Sequence, residues 1–343
     1  MAFDAWVEAC LYDPDGGFYT AGGSAGRRGD FLTSPEVGPL FGAVLARWMD
    51  TRWEALGRPN GFTVVEAAAG SGTLARAVVA AEPACLREGR YVMVERSAAL
   101  RTVQPTDATV PGVGLSSVAH LADVGSISHG VVLANELLDN LAFGLLEVAD
   151  GRWHEVLVDG ELTGTAGEFW EELGGPVDPP APVDAEAYGL GARIPVQAEA
   201  AAWVDTALGL LGAGSVLIID YASTTSAMAA RPPANWLRTY RGHEEGDVPT
   251  KAPGTQDVTV EVAVDQLPDG VTVATQAEFL GAHGISELVD EGRRIWKERV
   301  HLGDLTALRA RSRVTESEAL LDPSGLGGFT VLEWVRSSRV RSQ

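Results

Sequence analysis

The chain has 343 residues, 45% of them hydrophobic, and its 47 acids against 26 bases give a net charge of −21. That balance argues against a nucleic-acid partner, which needs a basic surface, and leaves a basic protein partner or a merely solvated acidic exterior. No run approaches the roughly 20 apolar residues of a membrane span, and two isolated cysteines with six scattered histidines offer no disulfide framework or metal-ligand spacing, so neither membrane insertion nor a metal is expected.

The opening residues, MAFDAWVEACLYDPDGG, lack a cationic n-region and an apolar stretch with a cleavage site, and the expected compartment is the reducing cytoplasm. Residues 34–56 place apolar side chains at helical spacing behind Ser34, Pro35 and Glu36, which predicts a helix. Short β-branched apolar runs at 62–66, 91–95, 130–134 and 215–221 read as buried parallel strands, whose two faces helices cover. Helical stretches at 73–81 and 197–211 alternate with them, so the expected class is α/β with a doubly wound sheet.

Two segments interrupt this alternation. FGLLEVADGRWHEVLV predicts a hairpin turning at Asp150-Gly151, and the acidic EELGGPVDPPAPVDAE after it reads as a surface loop. Residues 222–256 lack periodicity and read as one long loop. Both follow strands, and so are expected at the carboxyl edge of the sheet, where open α/β folds bind ligands.

The stretch VVEAAAGSGTLARAVVA at 64–80 runs strand, glycine turn, helix, a pattern that aims backbone N–H groups and a helix N-terminus at a cofactor. From Gly70, GSGTLA nominally matches a dinucleotide fingerprint, but Glu66 at the strand end would repel a pyrophosphate. The same carboxylate suits the ammonium of an amino-acid moiety, such as the methionine part of S-adenosylmethionine. Glu95 ends the next strand, where it can accept hydrogen bonds from both hydroxyls of a ribose, whether that of NAD or of S-adenosylmethionine. The competing reading is a pair of strand-end carboxylates in water. Past the third strand, VVLANELLDN sets Asn135 and Glu136 at its end, with Asp139 on the same face if the chain turns helical. An Asn N-cap with Glu in the first helical turn would look the same.

YDPDGGFYTAGGSAGRRGDFLTSPEVGPLFG at 12–42, VVEAAAGSGTL, ANELLDNLAF, VLIIDYA, RGH at 241–243, APGTQDVT at 252–259 and GLGGFTVLEW at 325–334 together resemble the MidA family, in the same order along nearly the whole chain. Its mitochondrial member methylates an arginine of a respiratory-chain subunit during complex I assembly. The resemblance implies a class I methyltransferase fold, a Rossmann-like seven-stranded sheet with an N-terminal cap segment and inserted substrate-side elements, and S-adenosyl-L-methionine as cofactor. The expected partition is a helical cap or lid at 1–60, a cofactor-binding half at 61–140, an inserted hairpin and loop at 141–200, and the rest of the sheet at 201–343.

The expected cofactor residues are Glu66, Ala68, Gly70, Gly72, Thr73, Leu74, Glu95, Arg96 and Asn135, joined by Phe31, Thr33, Ser34 and Pro35 from the lid-like GDFLTSPE. Protein arginine N-methylation makes a basic or arginine-bearing protein the expected partner. Freeing a guanidinium of its proton at pH 7 costs about 7 kcal/mol, so carboxylates must hold the group while the proton leaves. Glu136 is the first candidate, with Asp139 as its partner and Asn135 as a positioner; Tyr221 and His243 are candidates for the substrate side. Ala67-Ala68-Ala69 stand where the family usually has Leu-Gly-Pro, and Asp220-Tyr221-Ala222 where it has Asp-Tyr-Gly. Val260 and Glu261 also depart from the usual Ala and polar residue. Those departures leave open a small-molecule acceptor, another residue type, or an assembly factor that has lost its activity.

Overall fold

The computed structural model describes residues 1–20, 33–106, 113–163, 166–241 and 244–337. The chain forms two compact units, one of residues 32–135, 206–219 and 270–343, the other of 1–31, 136–205 and 220–269.

The first unit is built on seven strands: β1 (Thr63–Ala67), β2 (Arg90–Val94), β3 (Gly114–Val118), β4 (Ile127–Asn135), β5 (Leu211–Asp220), β6 (Thr272–Thr275) and β7 (Thr330–Arg336). Their order across the sheet is β6-β7-β5-β4-β1-β2-β3. β1 pairs in parallel with β2 and β4, β2 with β3, and β4 with β5, while β6 and β7 run antiparallel. All five residues of β1 are buried, as a central strand covered on both faces requires. The core around it gathers Phe41, Trp48, Phe62, Tyr91, Leu133 and Phe279.

The helix expected over 34–56 is two helices, Ser34–Val37 and Pro39–Ala55. Pro39 disfavours helical backbone at the residue before it, and Gly38 is accordingly extended, with φ of 162°. The chain then restarts with the Leu40 N–H donating to Glu316 at 2.8 Å. Among the elements that periodicity at 60–220 did not reveal are β3, whose alternating exposure weakens the apolar run, and the two glutamate- and arginine-rich helices Ile285–Arg299 and Leu305–Leu321.

In the second unit, the strands Gly144–Ala149 and Arg152–Thr163 form the expected hairpin. Asp150 and Gly151 both take positive φ, 52° and 71°, as a two-residue turn that follows strand twist demands. The acidic stretch expected to be a loop is a strand through Pro176: Ala166–Pro176 pairs along Arg152–Thr163. Cross-strand pairing overrides the Gly174-Gly175-Pro176 turn signal, and the proline falls at the strand end, where a missing N–H costs least. The 222–256 stretch is likewise structured. It holds the helix Thr225–Ala229 and the strand Leu237–Arg241, which pairs antiparallel with Asp257–Val260. The N-terminal helix Phe3–Tyr12 packs Phe3, Trp6 and Leu11 into a core with Phe143, Trp236 and Val258. Among the described residues no helix is long and apolar enough to cross a membrane.

The tightest approach in the large sheet lies where β1, β4 and β5 meet. A Cβ on Gly214 would stand 1.7 Å from the Gly130 carbonyl oxygen, and one on Gly130 would stand 2.1 Å from that of Thr63. Gly214→Ala is therefore expected to cost about 3 kcal/mol or more. Thermal unfolding followed by circular dichroism checks this, and a wild-type melting temperature would contradict it.

Candidate active site

Each unit carries one set of candidate groups. On the first unit the turn after β1 carries left-handed backbone at Ala68 (φ 53°), Gly70 (φ 52°) and Gly72 (φ 81°). A Cβ at Gly72 would strike the Pro105 ring at 2.5 Å, whereas the space beside Gly70 is open. Gly72 caps the helix Thr73–Ala80, and the Ala75 N–H in its first turn donates to the Glu66 carboxylate.

Glu66 is not a solvated strand-end carboxylate. It is buried, its Oε2 accepts the Tyr91 hydroxyl at 2.7 Å, and burial pushes its pKa up to about 8, against the opposing pull of that hydrogen bond. Glu95 is half-buried and already engaged: Oε2 accepts the Gly70 N–H at 2.9 Å and Oε1 the Ser97 N–H at 2.8 Å. The acid thus shapes the glycine turn, and each of its oxygens keeps a second lone pair for a ligand hydroxyl. Gln104, which sequence reasoning missed, donates from Nε2 to the Gly70 carbonyl at 2.8 Å and accepts from Ser117 on β3 at 2.5 Å. No local pattern marks it, because its partners come from separate elements.

Of the other expected cofactor residues, Thr73 donates to Glu36 at 2.8 Å, while Ser34 is fully buried and donates to Gln276 at 2.9 Å. Thr33 is buried beside Ser34, and Pro35 opens the short helix as expected. The Leu74 side chain lies in the hydrophobic core, which leaves only its backbone to face a ligand, and Arg96 is exposed. Asn135 ends β4. Phe31 and His243 lie outside the described residues.

On the second unit, Glu136, Asp139, Tyr221, Trp236, Arg238, Tyr240, Asp257, Thr259 and Glu261 line a cavity of about 230 Å³. Glu136 and Asp139 do not share a helix face. Glu136 has left-handed backbone (φ 52°), and Asp139 sits in the 3-10 turn Leu138–Asn140 that follows. The helix-cap alternative fails for the same reason. The turn is fixed by Asp220, fully buried at the end of β5, whose Oδ2 accepts the N–H groups of Leu138 at 2.9 Å and Asp139 at 3.3 Å.

The acids in this unit crowd one another. Asp139 is buried and accepts Thr259 at 2.8 Å on Oδ2, and burial raises its pKa. Asp257 accepts Tyr19 at 3.2 Å and Asn140 at 3.1 Å on Oδ1; burial, then the charge of Asp139, pushes it up to about 7. Asp220 is raised by burial first and then by Asp139 and Glu136. Two buried oxygens, Asp139 Oδ1 and Asp257 Oδ2, have no hydrogen-bond partner among the described residues. Arg238 balances little of this charge: its guanidinium lies 5.9 Å over the Tyr221 ring and 3.6 Å from Glu261, which also pairs with Arg231 at 2.6 Å. Among the described residues no cluster of side chains could hold a metal ion.

A family model for S-adenosyl-L-methionine-dependent methyltransferases, Methyltransf_28, matches residues 44–283. A protein of Burkholderia thailandensis solved with S-adenosyl-homocysteine bound superimposes with a TM-score of 0.78 at 26% identity, over 98% of this chain and 88% of that one. Among curated proteins, the mitochondrial protein arginine methyltransferase NDUFAF7 homolog of Drosophila melanogaster is 33% identical over 45% of this chain and 40% of its own length. The mitochondrial protein arginine methyltransferase NDUFAF7 of Rattus norvegicus is 26% identical over 76% of this chain and 64% of its own. The chain thus spans less than two thirds of either relative. The groups on the first unit fit the cofactor: an open glycine turn at a helix N-terminus, a buried acid at the end of β1 and a second acid past β2.

A Glu66 carboxylate that takes the cofactor's ammonium must first lose its proton, because burial holds its pKa near 8. Affinity for S-adenosyl-L-homocysteine is then expected to rise by up to about tenfold per pH unit from 6 toward 8 and to level off above. Calorimetry at four pH values checks this, and a flat profile would make Glu66 a purely structural acid.

Proposed function

The chain belongs to the Methyltransf_28 family of S-adenosyl-L-methionine-dependent methyltransferases, and from that premise we propose that its methyl acceptor is an arginine side chain of a partner protein. One observation carries the reading: a cavity lined by acids, two of which, Asp139 and Asp257, each keep a buried carboxylate oxygen without a partner among the described residues. A buried acceptor without a donor costs about 1 to 3 kcal/mol, and a ligand rich in N–H groups removes that cost. A guanidinium offers five donors and a permanent charge in one plane. The names of the curated relatives point to the same acceptor, and the net charge of −21 suits a basic partner.

The bound cofactor supplies an electrophilic methyl group, and what remains for the protein is to orient a nucleophile and manage its proton. Glu66 and Glu95, with the Gly70-to-Gly72 turn, hold the cofactor. Glu136 follows Asn135, the last residue of β4, by one peptide bond, and its left-handed backbone turns the chain out of the strand into the acid turn. In this position it orients the guanidinium and offsets the charge that builds as the nitrogen takes a fourth substituent. Asp139 holds a second edge of the group. Its geometry is set by Thr259 and, through the backbone, by Asp220.

Proteins from cells lacking this chain, incubated with it and methyl-labelled cofactor, should gain label on arginine when hydrolysates are read by mass spectrometry. Label only on small molecules, or on other residues, would replace the arginine reading. Glu136→Gln should leave S-adenosyl-L-homocysteine affinity within about threefold and lower methyl transfer about 100-fold or more, the scale of a lost transition-state charge contact. Wild-type transfer by this variant would remove Glu136 from the chemistry. Recruitment of a basic acceptor should also slow as salt rises, and an unchanged rate would argue for a neutral one.

A further inference from the structure

Asp257 stands 121 residues after Glu136, in a different strand, and the proposed roles of Glu136 and Asp139 do not account for it. It is 1% exposed, it lines the acid cavity, and its two oxygens are treated differently. Oδ1 is tied down by Tyr19 and Asn140, at 3.2 and 3.1 Å, while Oδ2 has no partner among the described residues. Asp139 repeats the arrangement, with Oδ2 held by Thr259 at 2.8 Å and Oδ1 left over. Each carboxylate is clamped on one oxygen and leaves the other buried without a hydrogen-bond partner among the described residues, an arrangement that suits a group with donors along two edges. The cavity's remaining lining holds three aromatic side chains, Tyr221, Trp236 and Tyr240, beside Glu136, Arg238, Thr259 and Glu261. A flat cation can pack against such walls.

We propose that Asp257 is an acceptor-binding residue, whose Oδ2 works with Asp139 Oδ1 to receive the N–H groups of a guanidinium. The proposal rests on the arginine reading above and names the second carboxylate that reading needs. Without a ligand, the acids cannot all ionise side by side in a buried site, and the charge of Asp139 adds to burial in holding the Asp257 proton up to about 7. The titratable and charged groups that line the cavity with Asp257 are Glu136, Asp139, Tyr221, Arg238, Tyr240 and Glu261, and Tyr19 donates to it directly. A guanidinium exchanges its fixed positive charge for those protons. Affinity for it must therefore fall as pH drops below 7, because protons then compete for the same oxygens.

Calorimetry on the full chain tests this with Nα-acetyl-L-arginine amide and its neutral citrulline counterpart. The arginine probe should bind at least tenfold tighter than citrulline at pH 8. Titrations at pH 6.5 in two buffers of different ionisation heat should reveal proton release, and at pH 9 none. Asp257→Asn should lose tenfold or more of the arginine affinity while its melting temperature reports that it folds. Should that variant not fold, Tyr19→Phe decides. It removes a hydrogen bond that favours the ionised Asp257, so the pH midpoint of arginine binding should move up. If the wild type prefers arginine but the Asp257→Asn variant binds it equally well, or the Tyr19→Phe midpoint does not move, the role of Asp257 is overturned and the arginine reading survives. If the wild type binds citrulline as well as arginine, both are overturned.

Discussion

The carboxylate of Asp220 organises the second unit's site. It is fully buried at the end of β5, and it accepts backbone N–H groups from Leu138, Asp139 and its neighbour Tyr221. Three amides would otherwise be left without acceptors, at about 1 to 3 kcal/mol each, so the acid is required whatever its charge. Its position in turn fixes the turn that carries Asp139. From this follows the crowding: a structural acid is buried beside Asp139 and Glu136, whose charges raise its proton affinity, and Asp139 does the same to Asp257. The hydrogen bonds to Asp220 favour its ionised form, but burial and the two neighbouring acids outweigh them, which leaves its pKa raised.

Two of the six described non-glycine residues with positive φ fall at these places. The residues directly after β1 and β4, Ala68 and Glu136, both have positive φ without being glycine, at 53° and 52°. Left-handed backbone costs an L-residue of about 1 to 2 kcal/mol, and folds keep such costs where a ligand or a reaction repays them. At position 68 the resemblance to the MidA family leads one to expect glycine, and the dihedral angle supplies the reason. This chain's alanine keeps the conformation and bears the strain.

Much of the sheet was legible because β1, β2, β4 and β5 are buried, and a buried parallel strand must be apolar along its whole length. The glycine turn was legible for a similar reason: only glycine tolerates both the dihedral angle at 72 and the Pro105 ring beside it. What stayed hidden depends on pairing between distant segments. Leu237–Arg241 is half-buried and carries two arginines, so no run of apolar residues announces it; it is a strand because Asp257–Val260 lies beside it. Asp257 itself stood inside a quoted motif, yet nothing local distinguishes a buried acid from a turn acid. Its partners Tyr19 and Asn140 come from two different segments of the unit's sequence.

Glu66 and Glu95 sharpen the same lesson, because the sequence does not show how the protein itself engages them. Each was read as a free carboxylate waiting for a ligand, and each already has protein donors. In Glu95 the engagement would aid ribose binding, since an acid that holds the Gly70 amide is already oriented and has less side-chain entropy to lose. In Glu66 it works the other way at neutral pH: burial keeps a proton on the acid that the ammonium must displace. The cofactor's amino-acid end and a guanidinium acceptor would then meet the same device on two separate units, a buried carboxyl group that exchanges a proton for a cation. Such a device selects for fixed positive charge, because a neutral analogue of the same shape leaves the proton where it was and gains nothing from the exchange.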